Sequence, residues 1–245
     1  WTQVIDIELP EVIEIEKPSG GPAGIARAAE LLSDAEFPVI LNGAGVVLSD
    51  AIPASAALAE KLSAPVCCGY QHNDAFPGTH PLSVGPLGYN GSKAAMELIA
   101  KADVVLALGT RLNPFSTLPG YGVDYWPEKA QVIQVDINPD RIGLTKKVSV
   151  AIQGDAKMVA EQITNALKPT AGDNGRDERI ASIQQIKSAW LQKLSSMDHE
   201  DDDPGTSWNE RARDREPDRM SARMAWRAIQ ASLPVEAIIS SDIGN

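Results

Sequence analysis

Three short, largely apolar runs constrain this chain more than any other feature, because each ends in a turn suited to a strand's carboxyl end. Val104-Val105-Leu106-Ala107-Leu108 breaks at Gly109-Thr110-Arg111, and Gln131-Val132-Ile133-Gln134-Val135 breaks at Asp136-Ile137-Asn138-Pro139. Val148-Ser149-Val150-Ala151-Ile152 breaks at Gly154-Asp155-Ala156. Strand and helix patterns alternate from Ala23 to Leu167, the signature of an α/β fold built on a doubly wound, Rossmann-like parallel sheet. Such sheets bind ligands in the crevice beyond the carboxyl ends of their strands. These corners are therefore expected along one edge, as a possible nucleotide site.

The residue types at the corners suit a nucleotide. Asp136, followed by Ile137, can accept from a ribose hydroxyl, and Arg111 can clamp a phosphate. Gly43, Gly45, Gly109 and Gly154 allow close backbone approach. Asn42-Gly43-Ala44-Gly45 begins like a dinucleotide fingerprint, but Leu48 stands where the third glycine belongs, so a tight turn without a ligand is equally open. Arg111 has a surface salt bridge as its plainer explanation. Asp136 and Asp155 have the capping of the following turn or helix as theirs.

Around these corners the chain divides into four stretches. Residues 1–21 alternate apolar and acidic positions and close at Pro18-Ser19-Gly20-Gly21, reading as a tail and linker. Residues 22–168 form the central domain. There a helix opens at Pro22 with Ile25, Ala28, Ala29 and Leu32 on one face. Phe37–Leu41 and Pro65–Cys68 are strands, Ile52–Leu62 is a helix, Ser92 caps a helix over Lys93–Lys101, and Lys157–Leu167 closes the unit. Long loops are expected at Gly69–Gly91 and Leu112–Glu128. Residues 169–219 read as a linker carrying an exposed helix, Glu178–Leu194. Residues 220–245 offer a helix, a strand at Glu236–Ser240 and a glycine turn, the first elements of a further αβ domain. The chain thus reads as a piece of a longer polypeptide.

Composition narrows the function. A net charge of −11 argues against nucleic acid or an anionic membrane as partner, since both demand a basic face. No apolar run approaches the roughly 20 residues that cross a bilayer. Cys67 and Cys68 are the only cysteines; as strand neighbours they face opposite ways, and a reducing cytoplasm suits them. His72 and His80 beside these cysteines do not match a structural zinc spacing, so no metal site is expected. Glu200-Asp201-Asp202-Asp203 lacks the pattern of a calcium loop. No serine or cysteine sits in a nucleophile elbow.

Several of these segments also carry a resemblance. Asn42-Gly43-Ala44-Gly45, Ala107–Arg111, Val135–Gly143 and Gly154-Asp155-Ala156 resemble, in order and spacing, the central domain of thiamine diphosphate-dependent enzymes of the acetolactate synthase group. Ile238–Asn245 is similar to the first strand and turn of that group's diphosphate-binding domain, and Trp1–Pro10 to the tail of its pyrimidine-binding domain. Gly69–Gly78, Gly85–Lys93, Asn113–Ser116 and Arg141–Lys147 are similar to its sulfoacetaldehyde acetyltransferase branch. That resemblance implies conversion of sulfoacetaldehyde and phosphate to acetyl phosphate and sulfite, within sulfonate metabolism. Thiamine diphosphate and Mg2+ would serve as cofactors, in an intact homodimer or homotetramer.

In this setting the cofactor does the difficult chemistry and the protein orients it. The resemblance places no catalytic residue in this stretch. The activating glutamate would precede Trp1 and the magnesium-binding Gly-Asp-Gly would follow Asn245. Only Gly244 and Asn245 match positions that reach the diphosphate, so the isolated chain is expected to be inert. Flavin-binding relatives carry two acidic residues and an arginine where this chain has Asn113, Pro114 and Phe115, which argues against FAD and leaves the site as a relic or as an adenine-nucleotide site. Alternatives are an acetolactate synthase or oxalyl-CoA decarboxylase parent, or a non-catalytic nucleotide-binding module.

Overall fold

In a computed structural model of the chain, residues 15–88, 91–119, 122–196, 222–234 and 236–239 are described, with Glu8, Glu11 and Ile13. Six strands, β1 (Pro38–Asn42), β2 (Val66–Cys68), β3 (Ser83–Pro86), β4 (Val104–Leu108), β5 (Gln131–Asp136) and β6 (Val150–Gln153), form one sheet. Its order is β3-β2-β1-β4-β5-β6, and every neighbouring pair is parallel. This is the doubly wound order, and its direction reverses between β1 and β4. Ile40 lies beside Leu106, and Leu106 beside Ile133, so the central strands are in register across the switch.

The two faces follow from the period of two along a strand. Ile40, Leu106, Ile133, Val135 and Ile152 pack against helices α1 (Pro22–Asp34), α3 (Ile52–Leu62) and α6 (Ala156–Ala166). Val39, Leu41, Val105, Ala107 and Val132 face the other way, toward α4 (Lys93–Ile99) with Tyr125 and Trp126. Every residue of β1 and β4 is buried, which is why these strands read as unbroken apolar runs. Cys67 and Cys68 fall on opposite faces, both free.

The helices start where the sequence places a cap or a proline. Pro22 opens α1, and Ser92 Oγ accepts from the Ala95 N–H at 3.3 Å to begin α4. A five-residue helix, α2 (Ala44–Leu48), follows β1, and a short one, α5 (Pro114–Thr117), follows β4.

Three expectations change. The stretch Gly69–Gly91 is not loop throughout: it holds a 3-10 turn at Asn73–Ala75 and the strand β3. Gly85 and Pro86 disguise that strand, and both are tolerable because β3 is an edge. The expected strand at Glu236–Ser240 is absent from its described residues 236–239, which form a turn and irregular backbone. A single strand without a bonded neighbour has nothing to hold it. The expected exposed helix is α7 (Arg176–Ser196), and one side of its first half is docked, with Arg179 and Ile183 buried while Arg176, Asp177 and Glu178 stay exposed.

Arg179 explains that docking. Its side chain is 0% exposed. Nε donates to the Ser63 carbonyl at 2.9 Å and Nη2 to the Leu62 and Gly172 carbonyls, each at 2.7 Å. Nη1 donates to the Asn174 carbonyl at 2.8 Å and to that of Glu36. Glu36 is itself fixed, its N–H donating to Asp103 Oδ2 at 2.7 Å. Burial lowers the Arg179 pKa, Arg176 adds to this and Asp103 opposes it. The guanidinium nonetheless stays charged, and backbone dipoles take the place of a counter-ion. The C-terminal end of α3, the α1–β1 turn and the start of α7 thus meet on one side chain. The chain divides into two compact units, Trp1–Lys187 and Ser188–Asn245. Within the second, α8 (Ala222–Ser232) is an amphipathic helix with Trp226 and Ile229 exposed.

Two outcomes follow from this packing. Arg179→Ala will lower the unfolding free energy by roughly 3 kcal/mol, because it strands several buried carbonyls at once. Urea titration measures this, and a loss under about 1 kcal/mol would contradict it. Burial raises Cys67 well above its usual range and Cys68 to about 12. Ellman's reagent at pH 8 should therefore find no fast-reacting thiol in the native chain and two after denaturation.

Candidate functional site

Beyond the carboxyl ends of β1, β4, β5 and β6 lies a cavity of about 440 Å³. That size is ordinary for a small-molecule cleft, and its place is the topological switch point. It brings together eight residues singled out from the sequence. Gly43 and Gly45 come from the β1–α2 turn, Gly109 and Arg111 follow β4, Asp136 and Ile137 follow β5, and Gly154 and Asp155 follow β6. Gly244 and Asn245 lie outside the described residues.

The glycines serve each other before any ligand. The Gly43 N–H donates to the Leu108 carbonyl at 3.0 Å and the Gly45 N–H to the Gly109 carbonyl at 2.8 Å. A Cβ on Gly43 would sit 2.5 Å from Thr110 Cβ, and one on Gly45 would sit 2.7 Å from Gly109 Cα. Gly109 itself has φ +60°, a region that glycine enters without steric penalty. The β1 and β4 turns therefore cross in backbone contact, and the Gly43, Gly45 and Gly109 amides are already engaged. The fingerprint-like Asn42-Gly43-Ala44-Gly45 is a packing joint at the edge of the cavity. Its helix, α2, is a single short turn.

Charge is distributed unevenly around the cavity. Asp155 is committed twice: Oδ1 accepts the Lys157 and Met158 N–H groups at 3.0 and 3.2 Å, capping α6. Its Oδ2 pairs with Lys17 at 3.1 Å. Asp155 thus has the capping role as well as a place on the cavity wall. Asp136, 6% exposed, accepts the Asn138 N–H through Oδ1 at 2.9 Å, which leaves Oδ2 without a partner among the described residues. Arg111 and Arg141 both border the cavity, are exposed, and form no ion pair among the described residues. Leu48, Phe115 and Ile137 add exposed apolar surface. The site thus offers one open carboxylate oxygen, two open guanidinium groups and apolar walls. Together these suit a ligand with a hydroxyl donor, an anionic group and a flat apolar body.

Three contributors were not apparent from the sequence. Lys17 reaches the rim because residues 17–20 are tied down there: the Asp155 N–H donates to the Pro18 carbonyl at 2.7 Å and Gln162 Nε2 to that of Ser19 at 2.6 Å. Ser116 accepts the Tyr70 N–H on Oγ at 3.1 Å and the Tyr125 hydroxyl on its carbonyl at 3.1 Å, holding the Gly69–His72 wall. The third, Gln134, lies inside a strand whose apolar pattern hides it. No signal short of these long-range contacts would have found the first two.

Two histidines among the described residues have local partners, His72 Nδ1 lying 3.8 Å from Asp74 Oδ1. His80 Nε2 lies 3.1 Å from Glu60 Oε1, its Nδ1 accepts the Leu82 N–H at 3.2 Å, and its ring meets Phe76 edge-on. Among the described residues, no cluster of three or more His, Cys, Asp or Glu could hold a metal.

With this geometry in place, comparison with known proteins is direct. The family model for the central domain of thiamine pyrophosphate enzymes matches residues 25–163. The chain belongs to that family. Among curated relatives, a Rhizobium meliloti (strain 1021) protein named "Probable sulfoacetaldehyde acetyltransferase" is 76% identical over 100% of this chain and 42% of its own length. The sulfoacetaldehyde acetyltransferase of Roseovarius nubinhibens is 73% identical over 100% of this chain and 41% of its own. This chain thus spans about two fifths of the length of these relatives. Among solved structures, an X-ray structure from Mycobacterium smegmatis assigned as a thiamin diphosphate-dependent enzyme aligns with a TM-score of 0.53. At 24% identity, covering 65% of this chain and 30% of that one, it supports the fold.

For this thiamine pyrophosphate enzyme domain, the crossing turns give a sharp expectation. Gly43→Ala forces its methyl against Thr110 and the Gly109 carbonyl, 2.6 Å away. It should lower the thermal midpoint by several degrees, with a loss of about 2 kcal/mol. A midpoint within one degree of the parent would show that the turns can part freely.

Proposed function

We propose that this chain is the middle portion of a thiamine diphosphate-dependent sulfoacetaldehyde acetyltransferase. The intact enzyme would turn sulfoacetaldehyde and phosphate into acetyl phosphate and sulfite, with Mg2+ holding the cofactor's diphosphate. The observation that carries this reading is the contrast in identity. It is 67% or higher over the whole chain to three proteins bearing that name, and 34% or lower to acetolactate synthase large subunits over about three quarters of it. In this reading residues 1–21 are the tail of a pyrimidine-binding domain and residues 22–168 the central domain. Residues 169–219 connect that domain to the start of a diphosphate-binding domain at 220–245. The cofactor would supply the carbonyl chemistry, and this stretch would contribute only Gly244 and Asn245 to its binding. The intact enzyme is proposed as a homodimer or homotetramer. A cytoplasmic setting suits the two free, buried cysteines.

The test is direct. The longer protein containing this chain, given thiamine diphosphate, Mg2+, sulfoacetaldehyde and phosphate, should release sulfite and form acetyl phosphate in equal amounts. Turnover of pyruvate to acetolactate, without sulfite release, would assign it to the sister enzyme instead.

The switch-point cavity is proposed as an adenine-nucleotide site, with Asp136 on the ribose and Arg111 on phosphate. Asn113 and Pro114 weigh against a flavin. Asn113 Oδ1 accepts the Phe115 N–H at 2.9 Å and Pro114 opens α5, so neither offers a dinucleotide a charged partner. Calorimetry of the 245-residue chain should show micromolar ADP binding and weaker FAD binding. Asp136→Ala should weaken ADP about tenfold through the loss of one charge-assisted hydrogen bond. Unchanged affinity would move the ribose elsewhere.

A further inference from the structure

We propose that Gln134 is a positioning residue that sets the anion-binding arm of the switch-point cavity, an inference that rests on the nucleotide reading above. Gln134 sits near the end of β5 and is 1% exposed. A primary amide so deeply buried is costly unless both ends are bonded, and here both are. Its Nε2 donates to the Thr110 carbonyl at 3.1 Å and to the Arg141 carbonyl at 3.1 Å. Its Oε1 accepts the Gly143 N–H at 2.8 Å. One side chain therefore grips the turn that carries Arg111 and the turn that carries Arg141.

These turns bear the two guanidinium groups that border the cavity without an ion pair among the described residues. A second tie joins the same loops, Thr145 Oγ1 donating to the Leu112 carbonyl at 2.8 Å. Leu112 is held at φ +52°, a strained setting for a branched side chain that persists only where its surroundings fix it. Within the glycine turn, the Gly43 and Gly45 amides are bonded to β4 and Gly109 and are not offered to a ligand. In this reading discrimination for phosphate rests on the turns carrying Arg111 and Arg141, whose backbones Gln134 ties together before any ligand arrives. Such preorganisation cuts the ordering cost of binding.

The experiment compares ADP with adenosine by calorimetry on the 245-residue chain. The parent should prefer ADP by tenfold or more. Gln134→Met should lose most of that preference while binding adenosine within twofold of the parent, as should Arg141→Gln. The double variant should be no worse than Arg141→Gln alone, because both act on one arm. If Gln134→Met does not fold, Thr145→Val, which loosens the same pair of loops at a more exposed position, should reduce the preference about threefold. A preference for ADP that survives every folded variant, at Gln134 or at Thr145, overturns the role of Gln134 while leaving the nucleotide reading intact. A parent that binds both ligands equally overturns the anion arm. A parent that binds neither removes the nucleotide reading with it.

Discussion

The structure depends on two turns passing through each other's van der Waals envelope. At the point where the strand order reverses, the backbone after β1 and the backbone after β4 approach so closely that Gly43, Gly45 and Gly109 have no room for a Cβ. Interior packing transmits such a constraint because it cannot be relieved by small shifts. With this joint closed, the Leu108 and Gly109 carbonyls are satisfied by the opposite turn. The space left beyond it, between the β4, β5 and β6 ends, becomes the cavity. A doubly wound sheet always offers a crevice here. In this chain the contact between turns decides its floor.

The same joint separates what was legible in the sequence from what was not. The sheet was legible because fully buried strands are written as near-continuous apolar runs, and β1 and β4 are of that kind. Edge strand β3 was not, since Gly85 and Pro86 look like punctuation unless its pairing with β2 is known. The residues around the cavity were legible because strand ends are the only place for Arg111 and Asp136 in a parallel sheet. What each residue does there was harder to read. The glycines, readable as room for a ligand or as a bare tight turn, form a backbone crossing at the cavity's edge. Asp155, readable as a nucleotide contact or as a cap, caps α6 with Lys17 as partner and also borders the cavity. Roles of this kind are set by which partner arrives from far along the chain, and local pattern carries no record of it.

Arg179 shows the same limit for domain boundaries. A stretch as polar as α7 reads as a solvated helix on a linker, and over much of its length that is correct. One buried arginine docks a side of its first half, because five carbonyls from three separate segments converge on it. The carbonyls come from where helix α3 ends, where β1 is about to begin, and from the turns at Gly172 and Asn174. Each is a position where a backbone acceptor is left over. The guanidinium fork gathers these leftovers in a way that no apolar side chain could. The compact unit that holds the sheet therefore runs on to Lys187.

A chain carrying net charge −11 offers an anion no attraction from its overall field, so any preference in the cleft rests on the charges that line it. Exposed charges more than a Debye length away, about 8 Å at physiological ionic strength, contribute little to the potential inside a cleft. Within the cavity the accounting is local. Lys17 neutralises Asp155, and Asp136 has one oxygen turned to its own backbone. Arg111 and Arg141 carry the balance toward positive. A guanidinium can meet a phosphate by geometry as well as charge, which a diffuse field cannot do. The buried amide of Gln134, itself uncharged, ties together the backbones of the two turns that carry these arginines, so it acts on the cleft's local charge where the sign of the whole chain does not.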